Sequence, residues 1–146
     1  MIVGIISGYF NPIHTGHLDY IEGAARKCDL LYVIVNSDHQ VGLKGSKEFM
    51  DESSRLRIVG ALEDVDRSMI SIDKDGSVVE SIGEILKQYC DDPFVDRIRF
   101  MNGGDRKDGN TPESEFCASN NIDLVYNVGG GKTESSSTLL EKVKND

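Results

Sequence analysis

The chain has 146 residues, which predicts a single domain whose hydrophobic core needs no disulfide or metal for stability. Its 16 Lys and Arg residues are outnumbered by 25 Asp and Glu residues, giving a formal charge of −9. That charge argues against a nucleic-acid polymer or an anionic membrane as partner, because both require a broad basic surface. The three cysteines are widely spaced and no targeting segment is recognisable, so we expect reduced thiols in a cytoplasmic protein.

Short β-branched runs alternate with longer amphipathic stretches along the chain. Residues 30–36 are nearly all apolar, as is typical of parallel strands covered on both faces. Ser77 followed by Glu80 predicts a capping box at a helix start. In chain order, we predict strands over residues 2–7, 30–36, 69–72, 97–101 and 122–128, and helices over 18–28, 51–63, from 77, from 111, and from 136 to 144.

Five strand-then-helix units predict an α/β fold with a Rossmann-like, doubly wound sheet of five parallel strands, forming one domain over residues 1–146. In such sheets, ligands bind beyond the carboxyl ends of the strands, at the point where the strand order reverses. The segments that directly follow each strand are therefore the ones expected to carry function.

The segment after the first predicted strand, residues 7–17, reads S-G-Y-F-N-P-I-H-T-G-H. His14 and His17 lead into a predicted helix, whose first N–H groups attract anions. Imidazoles add directional hydrogen-bond donors, and Gly16 between them permits the close approach of a ligand. We predict an anion site here and not a zinc site, because no third metal ligand clusters nearby.

Residues 129–137, G-G-G-K-T-E-S-S-S, superficially resemble a P-loop. The pattern fails because Tyr126 stands where a P-loop requires glycine, and because too little chain follows to complete the surrounding domain. A glycine-rich turn, Lys132 and three hydroxyls before a helix nevertheless predict a phosphate-binding turn. Simple helix capping by serine is the alternative interpretation.

These segments resemble those of the cytidylyltransferase-like nucleotidyltransferases, which share an H-x-G-H loop. Further landmarks of that family follow in order: N-S-D at 36–38, L-K-G at 43–45, an arginine at 55, G-G-D at 103–105 and S-S-S-T at 135–138. The resemblance covers most of the chain. It implies that a substrate phosphate displaces pyrophosphate from the α-phosphate of a nucleoside triphosphate. Mg²⁺ is expected to arrive with the nucleotide, because the sequence shows no carboxylate cage for a protein-bound metal.

The resemblance also implies roles for individual residues. His14 and His17 would contact the triphosphate, with His17 stabilising the charge that develops in the reaction, and Lys44 would neutralise the two phosphates that react. Lys132 stands where relatives usually carry an arginine, and it offers a point charge in place of a two-pronged contact. The expected nucleotide contacts are Gly8, Tyr9, Phe10, Gly16, Gly104, Asp105, Ser135, Ser136 and Ser137.

Two different roles are open for each of two arginines. Arg55 is expected either to bind a nucleotide or acceptor phosphate or to form a salt bridge on a helix surface. Arg106 is expected either to bind the acceptor or to lie on a solvated turn.

The resemblance implies a small phosphorylated alcohol or sugar as acceptor, an NDP-linked product and a homodimer. The landmarks look most like those of heptose-phosphate adenylyltransferase, which uses ATP, whereas the short length suits glycerol-3-phosphate cytidylyltransferase. We expect CTP slightly more than ATP, because Asp105 and Lys132 depart from the adenylyl pattern. A nucleotide-binding regulatory module that has lost turnover is the alternative from another class, and the departure at Lys132 favours it.

Overall fold

Five short runs of mainly apolar residues form one all-parallel sheet in the computed structural model, which describes residues 1–104 and 111–129. The strands are β1 (Ile2–Gly8), β2 (Leu30–Val35), β3 (Arg67–Ile70), β4 (Arg97–Met101) and β5 (Asp123–Val125). The helices are α1 (Thr15–Ala25), α2 (Asp38–Leu43), α3 (Glu52–Gly60), α4 (Val79–Tyr89) and α5 (Pro112–Ser119). No helix in these ranges is long and apolar enough to cross a membrane.

The strand order is β3-β2-β1-β4-β5, so the predicted Rossmann-like, doubly wound α/β sheet is confirmed. The chain winds outward from β1 through β2 to β3, then returns to place β4 on the other side of β1. The strand order therefore reverses between β1 and β4, which pair in parallel with Ile5 opposite Phe100. Any ligand of this fold is expected beyond the carboxyl ends of those two strands.

Alternate residues of the central strands supply two separate cores, one on each face of the sheet. Val3 and Ile5 of β1 pack on the face covered by α4, whereas Ile6 packs on the face covered by α1. These three side chains are fully buried, as the period of two along a strand requires when both faces are covered. The central strands therefore form a rigid base for the loops at their carboxyl ends.

Several boundaries differ from those predicted. Helix α1 begins three residues before the predicted start, because His14 serves as its N-cap. The short helix α2 was not predicted, although Ser37 and Gln40 form a capping box at its start. Strand β3 lies two residues earlier than predicted, and β5 is shorter because the chain turns at Asn127, whose φ is 56°. The predicted last helix lies outside the described residues.

The predicted capping box at Ser77 is wrong. The hydroxyl and amide of Ser77 both donate to the Asp75 carboxylate, so the Ser77 side chain is used in a local turn and α4 starts two residues later. Asp73, which is buried, caps the helix instead: its carboxylate accepts from the amides of Glu80 and Ser81 at 2.8 and 2.9 Å. The Ser81 hydroxyl adds a third hydrogen bond at 2.6 Å.

We expect Asp73→Ala to lower the free energy of unfolding by about 2–3 kcal/mol, because it leaves buried donors without their charged acceptor. Urea unfolding measured by circular dichroism tests this, with an unchanged m-value. Asp75→Ala is the matched control, since Asp75 is exposed and should cost clearly less. Equal losses in the two variants would contradict the capping role of Asp73.

Candidate active site

The loop between β1 and α1 turns sharply at Phe10, whose φ is 51° and whose side chain is 1% exposed. The Phe10 ring packs directly on Gly8, where an added Cβ would lie 2.8 Å from the ring. Asn11 then ties the loop to the segment before α3, because its side-chain amide donates to the carbonyl of Lys47 at 2.8 Å. The predicted nucleotide contacts Gly8 and Phe10 thus shape the loop from within the core.

His14 and His17 form the N-terminal cap of α1. His14 Nδ1 accepts from the amide of Gly16 at 3.0 Å, and His17 Nδ1 accepts from the amide of His14 at 3.2 Å. The two rings stack with centroids 3.9 Å apart, and the edge of Phe10 packs against His17. Because both Nδ1 atoms accept, the hydrogen of each neutral imidazole sits on Nε2. The helix start therefore carries two imidazole N–H groups, of which the Nε2 of His14 is buried.

Lys44 is brought to the same loop by α2. It follows the last residue of that helix, its side chain is exposed, and its Nζ lies 4.3 Å from the centroid of the Tyr9 ring. Fully buried Gln40 fixes α2 by donating to the carbonyls of Asp75 and Ser77 at 2.9 and 2.8 Å. The structure therefore brings the loop of His14 and His17 and the end of α2 together around Tyr9.

Arg55 lies in the interior, with 1% of its surface exposed. Its Nη1 donates to the carbonyls of Tyr9 and Asn36 at 2.8 and 2.6 Å, and its Nε donates to the carbonyl of Met50 at 3.0 Å. Its Nη2 forms an ion pair with Asp38 at 2.7 Å. One guanidinium thus joins the loop after β1, the end of β2 and the starts of α2 and α3.

These contacts correct both expectations for Arg55. The side chain is enclosed by protein acceptors, so the structure does not place it against a nucleotide or acceptor phosphate. Its ion pair is also not on the helix surface, because the guanidinium itself is fully buried. Arg55 acts on the site by fixing the backbone that carries Tyr9 and the helix that carries Lys44.

A cavity of about 280 Å³ opens at the reversal of strand order, beyond the ends of β1 and β4. It is lined by Ser7, Phe100, Asn102, Gly104, Thr111, Glu113 and Tyr126. Burial, and secondarily the negative charge of Glu113, raises the pKa of the Tyr9 phenol, and the Glu113 carboxylate gives the cavity an acidic lining. An acidic cavity suits the hydroxyls and amines of a nucleoside, whereas the histidine loop suits phosphate.

Sequence analysis did not identify Glu113 as a site residue. Its only signal was a place in the first turn of a predicted helix, where an acidic residue is common for its interaction with the helix dipole. Its Oε1 also accepts from the amide of Val78 at 3.1 Å, which ties α5 to the start of α4. The place of Glu113 in the cavity lining follows from tertiary packing alone.

Asp105, Arg106, Lys132 and the serines 135, 136 and 137 lie outside the described residues. Gly129, the last residue described, packs against the backbone of α1 with a φ of 82°. An added Cβ there would lie 2.7 Å from the Cα of Tyr20, one turn beyond His17.

The described residues contain no group of three His, Cys, Asp or Glu side chains placed to hold a metal ion. The polar groups that do converge are donors and cations, which suit phosphate oxygens.

A doubly wound parallel sheet with polar residues and a cavity at its reversal point is typical of nucleotide-binding proteins. The sequence matches the family described as Cytidylyltransferase-like over residues 5–123. The chain belongs to that family, and it is a nucleotidyltransferase.

Individual relatives agree with this assignment. The FAD synthase of Thermoplasma acidophilum is 32% identical over 96 residues, which cover 64% of this chain and 68% of that protein. The bifunctional protein HldE of Actinobacillus succinogenes is 31% identical over 141 residues, which cover 94% of this chain and only 27% of that protein. The chain therefore corresponds to one part of HldE.

Solved structures share the fold at low sequence identity. The lipopolysaccharide core biosynthesis protein of Thermoplasma volcanium superposes with a TM-score of 0.67 at 24% identity, covering 92% of this chain and 99% of that one. A bifunctional NMN adenylyltransferase/ADP ribose pyrophosphatase of Francisella tularensis, complexed with AMP and a Mn ion, gives 0.65 at 15% identity, covering 98% and 41%.

We expect Arg55→Met to lower the free energy of unfolding by about 3–5 kcal/mol, because it leaves Asp38 and three carbonyls without their buried partner. Arg57→Met in the same helix is the matched control, since Arg57 is exposed and should change stability by less than about 0.5 kcal/mol. Urea unfolding of both variants provides the comparison. A tolerated Arg55→Met would show that the guanidinium does not hold these segments together.

Proposed function

We propose that this protein transfers an adenylyl group from ATP to the phosphate of a small acceptor and releases pyrophosphate. The observation that carries the proposal is the cap that His14 and His17 form at the start of α1, with Lys44 beside the same loop. They lie at the carboxyl end of β1, where the strand order reverses. Such a helix start binds anions through its backbone N–H groups as well.

The proposed reaction forms one bond and breaks one bond at phosphorus. An oxygen of the acceptor phosphate attacks the α-phosphate, and the bond from the α-phosphorus to the bridging oxygen breaks, so that its electrons leave with pyrophosphate. The attacking phosphate is already anionic, so no side chain needs to act as a base. Catalysis then depends on positioning two anions and stabilising charge on the α-phosphate oxygens.

Different side chains bind the phosphates, stabilise the developing charge and hold the nucleoside. Nε2–H of His17 donates to an α-phosphate oxygen as negative charge builds there, and His14 donates to the neighbouring phosphates. The ammonium of Lys44 reduces the repulsion between the α-phosphate and the acceptor phosphate. Glu113 and Tyr126 line the cavity that takes the nucleoside, with Gly104 at its rim.

The relatives change the expected donor from CTP to ATP. FAD contains an adenylyl group, so an FAD synthase must attach one, and the Francisella tularensis structure is named for adenylyl transfer and holds AMP. Their resemblance to this chain supports ATP over the slight sequence preference for CTP. The family description keeps CTP as the comparison donor in the experiment.

Two further features belong to this proposal. Lys132 and the serines 135 to 137 bind the β- and γ-phosphates, as the resemblance of their sequence to the phosphate-binding turn of this family implies. A divalent ion enters as part of the nucleotide substrate, as Mg²⁺–ATP, because the described side chains offer it no cage of their own. The Mn ion bound with AMP in the Francisella tularensis structure supports this use of a divalent ion.

Pyrophosphate release tests the function directly. The purified chain is assayed with ATP or CTP, each with Mg²⁺, against riboflavin phosphate, phosphorylated sugars and phosphorylated polyols. Release that needs both ATP and one acceptor class supports adenylyl transfer, and release with CTP alone corrects the donor. Nucleotide binding without release from any pair would favour the regulatory module.

We expect His17→Ala to lower kcat by about 10²–10³-fold, because it removes a donor aimed at charge that develops in the transition state. The dissociation constant for the nucleotide, measured by calorimetry, should change far less. His39→Ala is the matched control: its ring contacts the carbonyl of Lys74 and its side chain is exposed, so kcat should stay unchanged. Equal losses in kcat and affinity for His17→Ala would contradict the transition-state role.

A further inference from the structure

The contact between Lys44 and Tyr9 can position the ammonium group that the proposed reaction requires. Lys44 must meet two phosphates, yet its side chain is long, exposed and placed at the end of a short helix. None of the ion pairs between described residues involves Lys44. Instead its Nζ lies 4.3 Å from the centroid of the Tyr9 ring, within the range of a cation–π interaction.

The backbone at Tyr9 and at the next residue is fixed by contacts with the core. The carbonyl of Tyr9 accepts from Nη1 of buried Arg55 at 2.8 Å, and the next residue, Phe10, is fixed in the core with 1% exposure. The ring can therefore hold a fixed position beside a flexible lysine. The same Arg55 pairs with Asp38 at the start of α2, so one guanidinium fixes the base of both partners.

We propose that Tyr9 is a positioning residue for nucleotidyl transfer, whose ring holds the Lys44 ammonium where the two reacting phosphates meet. The inference rests on the proposed function of this site. An ammonium has three N–H groups, and the ring covers one side of it, so the other side can still donate to phosphate oxygens. Lys44 therefore acts while it stays on the ring, and the contact persists when nucleotide binds.

Nuclear magnetic resonance tests the contact without any assay of activity. In protein labelled with ¹³C-lysine, the ε-CH₂ signal missing from Lys44→Gln identifies Lys44. We expect this signal to be shifted upfield by the ring, to remain shifted in Tyr9→Phe, and to move to the random-coil position in Tyr9→Leu. Addition of an α,β-methylene ATP analogue with Mg²⁺ should leave the wild-type shift in place, and its loss on binding would overturn the proposal.

Kinetics test whether the contact serves the reaction. With the donor and acceptor that support turnover, Tyr9→Leu should lower kcat/KM about two- to fivefold, as expected for one exposed cation–π contact. Tyr9→Phe should recover most of that loss because it keeps the ring. Tyr89→Leu is the matched control. Tyr89 lies on α4 and lines a groove beside the first residues of β4, at the end of the strands opposite to the site. This variant should leave kcat/KM unchanged.

The two kinds of failure are distinguishable. If no donor and acceptor react but the upfield shift is present, the proposed function fails, and the transfer role of Tyr9 fails with it, while the contact itself stands. If turnover occurs but Tyr9→Leu and Tyr9→Phe have equal kcat/KM, the positioning role alone is overturned. A gain in kcat/KM for Tyr9→Leu would also overturn it, because it would show that Lys44 must leave the ring to act.

Discussion

The buried guanidinium of Arg55 is the interaction on which the geometry of the candidate site depends. Parallel strands are held by their ladder of hydrogen bonds only up to their last residues, and the site begins where that ladder ends. Arg55 continues the connection by binding the carbonyls of Tyr9 and Asn36, which follow neighbouring strands. Because its planar fork directs several N–H groups at once, it can hold segments that share no backbone pairing.

The same principle recurs around the site with other polar side chains. Gln40 binds the carbonyls of the turn that precedes α4, Asp73 binds the first amides of that helix, and Asn11 binds the carbonyl of Lys47. Each is a side-chain contact to backbone groups in a turn, in a loop or in the first turn of a helix. Buried backbone groups must be satisfied somewhere, so these contacts allow irregular segments to pack closely beside the sheet. The catalytic candidates themselves are left exposed or at helix ends.

The sequence predicted what depends on local pattern and missed what depends on packing. Residues 30–36 were recognisable as a strand because buried parallel strands are continuous apolar runs, and the histidine loop was recognisable because its glycines and histidines are adjacent in sequence. Ser77 looked like a helix cap, but Asp73 competes for the same amides from farther upstream. The role of Arg55 could not be predicted, since its four acceptors come from residues 9, 36, 38 and 50.

The acidic composition of the chain is consistent with an anionic substrate once charge is considered by position. The carboxylate of Glu113 lines the cavity, whereas the ammonium of Lys44 lies over the Tyr9 ring near the histidine loop. Under the proposed function, a nucleotide entering this site would meet opposite charges at its two ends: the carboxylate of the cavity would accept hydrogen bonds from a ribose or base, and the loop would attract phosphate. This arrangement would orient the nucleotide as well as bind it, and a net charge of −9 adds repulsion for polyanions that present phosphate everywhere. A small ligand that carries its phosphates at one end is therefore compatible with an acidic chain.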